Sequence, residues 1–92
     1  MSDTLNRLYQ MLEERGVISP ETMRWFPRDP GALLRSDLNL DSLDAIEIAV
    51  AIQEEFDVDV PDGTDPVTMG ELAEIIDRLV AERLAFRNAR AL

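Results

Sequence analysis

Three stretches of this chain repeat apolar residues at the three-and-four spacing of a helix, and none alternates apolar with polar residues for long enough to build a sheet. Leu5, Leu8, Tyr9 and Leu12 make the first stripe. Leu43, Ile46, Ala49, Val50, Gln53 and Phe56 make the second, and Leu72, Ile75, Ile76, Leu79 and Val80 the third. A helix with one apolar stripe must bury it against another element, and 92 residues are enough for one modest core and too few for two. The expected fold is all-α: a small antiparallel bundle of three main helices with short helical turns in its loops. Residues 1–92 are expected to form a single domain, with its core at about 3–84 and a frayed tail over 85–92.

Local signals set the boundaries. The first helix is expected from Ser2 or Asp3 to Arg15, with Gly16 as its stop and Val17 and Ile18 returning the chain to the core. Ser19-Pro20-Glu21 pairs an N-cap with proline at the first helical position and predicts a short turn through Trp25. Phe26 precedes Pro27 and is pushed out of the helical region. Trp25 and Phe26 are expected to pin this connection to the bundle, the alternative being a Trp25 left exposed for a partner. Asp29-Pro30-Gly31 repeats the start signal and predicts a turn carrying Leu33 and Leu34 inward. The second helix is expected from Ser42 to Phe56 and the last from the capping box Thr68-Met69-Gly70-Glu71, with one helical turn over Thr64–Val67 between them. Arg78, Arg83, Arg87 and Arg90 fall in the C-terminal half of the last helix, where cations suit the helix dipole.

Composition removes most chemistry. With no cysteine and no histidine there is no disulfide framework and no ordinary zinc site. All nine basic residues are arginines, so the Schiff-base amine is missing along with the usual general base, and no catalytic residue is expected. Asp57, Asp59, Asp62 and Asp65 suggest a calcium loop, but the register puts Pro61 at its fifth position and Thr68 where the bidentate glutamate belongs, so no metal site is expected. No window approaches the length of an apolar membrane span, and Met1-Ser2-Asp3-Thr4 lacks the regions of a signal peptide, which makes a cytoplasmic location the expectation.

The net charge of −10 is unevenly spread. Residues 1–35 balance five acids with five arginines, whereas Ser36–Asp77 holds thirteen acids and no base. Such a field repels nucleic acid and anionic membranes and steers basic protein surfaces toward the middle of the chain. On the second helix Asp44, Glu47, Ala51, Glu54 and Glu55 share the side opposite the apolar stripe, with Ile48 at its margin. The stripe is expected to face the core and the acids to face a visitor.

The candidate site is the stretch Asp37-Leu38-Asn39-Leu40-Asp41-Ser42-Leu43-Asp44. Asn39 sits where the chain must turn and tolerates positive φ. Asp41 reads as an N-cap, leaving Ser42 in the first turn of a helix whose free N–H groups and dipole favour an anionic group. A phosphate esterified to Ser42 would be electrostatically comfortable there.

These eight residues resemble the phosphopantetheine attachment motif of acyl carrier proteins, and Glu54-Glu55-Phe56-Asp57-Val58-Asp59-Val60-Pro61-Asp62 is similar to the segment that closes the second helix in that family. The resemblance covers roughly Leu5 to Val80 and is sharpest from Asp37 to Asp62. It implies a free-standing carrier that holds acyl groups as thioesters on a 4′-phosphopantetheine arm, delivered from coenzyme A to Ser42 by a separate phosphopantetheinyl transferase. The pathway implied is fatty acid, polyketide or another specialised synthesis. Asp41 would contact the transferase or its metal, and Asp44, Glu47, Ile48, Val50 and Glu54 would form the partner surface. Partners would include an acyl- or aminoacyl-loading ligase or transferase and downstream synthase enzymes with basic docking surfaces, the carrier itself being a monomer. Small residues such as Ala49 would leave room for an acyl chain, and the family's third short helix would be reduced to a turn. Asn39 stands where the family most often has glycine. An aminoacyl or peptidyl carrier is one alternative, and an unmodified acidic adaptor, which would keep its activity without Ser42, is another.

Overall fold

The computed structural model describes residues 3–25, 28–61 and 63–91. Its elements are α1 (Asp3–Glu14), α2 (Pro20–Trp25), α3 (Ser42–Phe56) and α4 (Met69–Ala91). The described residues contain no strand, only an isolated antiparallel bridge between Leu33 and Thr68. The expected helical bundle is the fold observed, with α1 packed on both α3 and α4 and those two packed on each other.

α1 buries Leu5, Leu8, Tyr9, Met11 and Leu12, the predicted stripe with Met11 added. Gly16 stops it at φ 76°, and its N–H meets Glu13 O while the N–H of Val17 meets Leu12 O, which satisfies carbonyls that the helix end would orphan. Ile18 then enters the core. Ser19 caps α2, its Oγ accepting the Thr22 N–H at 3.2 Å. α2 buries no residue fully, although Met23 packs against the core. Trp25 is 77% exposed and pins nothing, contrary to the expectation from its size. The expectations for Phe26, Pro27 and Asp62 concern residues outside the described ones, as do the side chains of Arg87 and Arg90.

α4 begins where predicted, with Thr68 Oγ1 accepting the Glu71 N–H at 3.1 Å. The reciprocal bond of the capping box is displaced by one residue, because Glu71 accepts from the Val67 N–H at 2.7 Å. Met69, Leu72, Ala73 and Ile76 are buried, and Ile75, Leu79 and Val80 are half-buried. Two more N–H groups of the first turn find carbonyls in the connection before α3: Met69 N–H donates to Ala32 O at 3.0 Å and Gly70 N–H to Pro30 O at 2.8 Å. Only glycine permits the second contact, since a Cβ at position 70 would stand 2.8 Å from Pro30 O. Tyr9 holds the same connection from the α1 side, its buried phenol donating to Asp29 O at 2.5 Å.

Two turn expectations fail for one reason. Around Asp29-Pro30-Gly31 the chain turns without becoming helical, and Ala32 rather than Leu33 goes inside; Leu33 is 39% exposed while Leu34 packs against the core. Thr64–Val67 makes no helical turn either. The two segments meet instead, Leu34 N–H donating to Val67 O at 3.0 Å beside the Leu33–Thr68 bridge, and this pairing engages main-chain groups of both.

Candidate functional site

The approach to α3 is built from local backbone chemistry. Asp37 accepts the Leu33 N–H on Oδ2 at 2.8 Å, and the N–H groups of Asp37 and Leu38 return to Leu33 O. Asn39 adopts φ 55°, as its side chain permits, and the reversal sends both Leu38 and Leu40 into the core. The chain therefore reaches α3 with its last two leucines anchored. Asp41 follows in extended backbone as the N-cap, accepting the Asp44 N–H on Oδ1 at 3.0 Å. Asp44 closes a capping box by accepting the Asp41 N–H on Oδ2 at 3.0 Å. The Asp44 N–H above all holds the Asp41 carboxyl below the usual carboxylate range.

Ser42 is the first residue of α3 and is exposed. Its hydroxyl takes no part in the cap and has no hydrogen-bond partner among the described residues. The hydroxyl thus stands at a fixed helix start, beside N–H groups suited to a phosphodiester, with no structural duty of its own. Ser42 also lines a cleft of about 400 Å³. Its lining includes Leu40, Ala49, Ile52, Val60, Pro61 and Pro66, with Arg35 the one base among the lining residues. Ala49 leaves the space expected of it. The apolar walls suit a hydrocarbon chain, and the polar mouth suits an attachment point.

The orientation of α3 departs from the sequence reading. Ile48, Ala51, Ile52 and Phe56 face the core, whereas Leu43 is 72%, Ile46 62% and Val50 46% exposed. Gln53, placed with the buried stripe, is exposed too, and Ala51, placed among the acids, is buried. Ile48 cannot serve in a partner surface because it is packed inside. The helix is apolar on both sides, so periodicity alone could not choose which side goes in. A signal was nonetheless present: at 100° per residue Glu47 and Glu54 lie within about 40° of Leu43. Glutamates rarely go inside unpaired, so their arc marks the solvent side and takes Leu43 and Val50 with it.

Among the expected partner residues, Glu47 and Val50 lie on this exposed face beside Leu43 and Ile46. Asp44 is half-buried and committed to the capping box. Glu54 is held by Arg15, whose Nη2 lies 3.1 Å from its Oε2. No group of three His, Cys, Asp or Glu side chains that could hold a metal occurs among the described residues. No helix among them is long and apolar enough to cross a membrane.

Residues 28–65 match a family model described as the phosphopantetheine attachment site. Over 43 residues the chain is 49% identical to an acyl carrier protein of Picosynechococcus sp., a match covering 45% of this chain and 53% of that protein. The chain thus spans about half the length of the curated relative it matches.

Proposed function

We propose that the chain is a carrier of the acyl carrier protein type, not a catalyst, and that Ser42 is the residue on which it bears 4′-phosphopantetheine, a reading supported by the match over residues 28–65. One observation carries this reading: an exposed hydroxyl without a partner, fixed at the start of α3 by neighbours that make the cap without it, at the mouth of an apolar cleft. When bound, the prosthetic group supplies the thiol that the chain lacks, on which acyl cargo is held as a thioester.

The chain's own residues divide the remaining work. In the active site of a phosphopantetheinyl transferase, Ser42 Oγ attacks the pantetheine-side phosphorus of coenzyme A, its proton passing to a base of that enzyme, and the new O–P bond forms as the pyrophosphate bond breaks and adenosine 3′,5′-bisphosphate leaves. Asp41, kept ionised by the N–H of Asp44, sets negative charge beside Ser42 where a magnesium ion of that enzyme would sit. The α3 dipole and the Ser42 N–H favour the phosphodiester charge, the Asp44 and Ala45 N–H groups being taken by Asp41. The cleft excludes water from part of the cargo through Leu40, Ala49, Ile52 and Val60. Leu43, Ile46, Glu47 and Val50 form the surface presented to successive partners: the transferase, a loading ligase or transferase, and downstream synthase enzymes. A strip this small suits partners that must leave quickly.

We read the chain as a cytoplasmic, monomeric carrier domain with an acyl cargo, in fatty acid, polyketide or another specialised synthesis. The apolar cleft favours acyl over aminoacyl cargo. The adaptor reading loses support because Glu54, Glu55 and Asp57 are already paired with arginines of the same chain and are not an open acidic field.

The test is intact-protein mass before and after incubation with coenzyme A, magnesium and a broad-specificity phosphopantetheinyl transferase, beside Ser42→Ala. A gain of one pantetheinyl phosphate in the wild type and none in the variant is expected. A wild type left unmodified by an active transferase would return Ser42 to a residue without function.

A further inference from the structure

The acids of α3 are not equally available to a visitor. Its C-terminal end carries Glu54, Glu55 and the C-cap Asp57, with no base in its last turn, where the helix dipole already disfavours negative charge. Arginines in α1, just after it and in α4 answer this. Arg15 Nη2 lies 3.1 Å from Glu54 Oε2, Arg7 Nη2 lies 3.5 Å from Glu55 Oε1, and Arg83 Nη1 lies 2.7 Å from Asp57 Oδ2. Arg7 is further held over the Phe56 ring, 4.8 Å from its centroid. Glu47, two turns nearer Ser42, has no such partner and lies on the face of Leu43, Ile46 and Val50.

Helix-end neutralisation alone would explain these pairs, yet their position gives them a second effect. A partner's basic group approaching Glu54 or Glu55 must first displace an arginine of this chain. Exposed pairs of this kind are weak and displaceable, so they bias recognition without forbidding it. We infer that Arg15 and Arg7 are specificity determinants of partner docking, an inference that rests on α3 being the docking surface. By occupying Glu54 and Glu55 they close the C-terminal half of α3 to a partner's bases and confine charge recognition to Glu47. The partner surface that fits is an apolar patch with one base set for Glu47, not a broad basic field.

The proposal predicts a gain of function, which a purely structural role would not produce. In pantetheinylation of the full chain by a broad-specificity transferase, Arg15→Gln should raise kcat/KM at low salt by roughly two- to fivefold, with the gain vanishing at high salt. Arg24→Gln is the control, because it makes the same charge change on α2 at an arginine that takes no part in these pairs. It should raise the rate less. Glu47→Gln should slow the wild type, Glu54→Gln should leave it nearly unchanged, and Glu54→Gln added to Arg15→Gln should cancel the gain. The same order should appear in transferase affinities measured on a Ser42→Ala background, where no chemistry intervenes. Arg15→Gln behaving like Arg24→Gln, or Glu54→Gln slowing the wild type as much as Glu47→Gln, would overturn the inference while leaving α3 as the docking face. Indifference to Glu47→Gln with Ser42 still modified would remove α3 docking and the inference with it. Should Arg15→Gln fail to melt cooperatively, the Glu47→Gln and Glu54→Gln pair decides by itself.

Discussion

The connection that enters α3 and the one that leaves it are both long and without a helix among their described residues, yet they are held in different ways. The first, through residues 28–41, is tied by main-chain groups to both of its neighbours: Asp29 O takes the Tyr9 phenol, and Pro30 O and Ala32 O take N–H groups from the start of α4. It also buries Ala32, Leu38 and Leu40. The second, after Phe56, buries Val58, and its turn is closed on itself, Thr64 donating from N–H and Oγ1 to Pro61 O at 3.2 and 2.6 Å. Among its described residues, Asp57 pairs with Arg83 of α4 at 2.7 Å through exposed side chains, the Val67 N–H donates to Glu71, and Val67 O takes the Leu34 N–H, while Val67's own side chain is 57% exposed. The rigidity of a loop thus depends on where its carbonyls go and how many side chains it buries, not on its length. Both connections line the cleft, the first through Leu34, Leu40 and Asp41 and the second through Val60, Pro61 and Pro66.

This contrast can be broken most forcefully at the core. Leu38→Ala should cost about 2–5 kcal/mol in denaturant unfolding, by the loss of a buried side chain and the space it leaves, whereas Val67→Ala in the second connection should stay within about 0.5 kcal/mol. Equal losses would mean the two connections are not differently held. Gly70→Ala attacks the main-chain tie: the added Cβ meets Pro30 O, and a loss of about 1–3 kcal/mol is expected although alanine is the better helix former. A gain in melting temperature would show that the first connection can simply move aside.

The smallest effect sharpens the contrast through pH. Tyr9→Phe removes the phenol's bond to Asp29 O and should cost about 1 kcal/mol. Burial first, then Asp29 and Asp37, pushes the Tyr9 phenol up to about 12. The unfolded chain releases that proton near pH 10 while the folded chain keeps it, so the stability linked to Tyr9 is full below about pH 10 and lost as pH rises toward the folded value. Alkaline melting of the wild type should fall across that window more steeply than that of Tyr9→Phe. Parallel curves would mean that Tyr9 does not hold the loop.

What was legible in the sequence follows the same division between local and tertiary chemistry. The limits of α3, the Asp41 cap, the αL turn at Asn39 and the stop at Gly16 depend on side chains acting on backbone a few residues away, and each was readable from residue type. The carbonyls of Pro30 and Ala32 carry no residue-specific mark, so their bonds to α4 were not. The Leu33–Thr68 pairing that suppressed a helical turn at Thr64–Val67 lies between distant segments and is invisible to local propensity. For the candidate site, Ser42 and Asp41 stand where their motif suggested, but α3 was turned the wrong way because its apolar residues surround it. The exposed strip Leu43–Ile46–Val50 was read as core, and the pairing of Glu54 with Arg15 could not be foreseen from residues 39 positions apart.

Asp41 and Asp44 make the α3 cap between them, and Ser42 contributes no bond to it. In evolutionary terms, the proposed function and the fold can be inherited separately. A gene copy encoding alanine at position 42 would yield a chain that still folds and still shows the Leu43–Ile46–Val50 strip, but takes no arm. On the proposed function it would compete for the enzymes that serve its intact sibling, so a single residue would separate a carrier from a decoy.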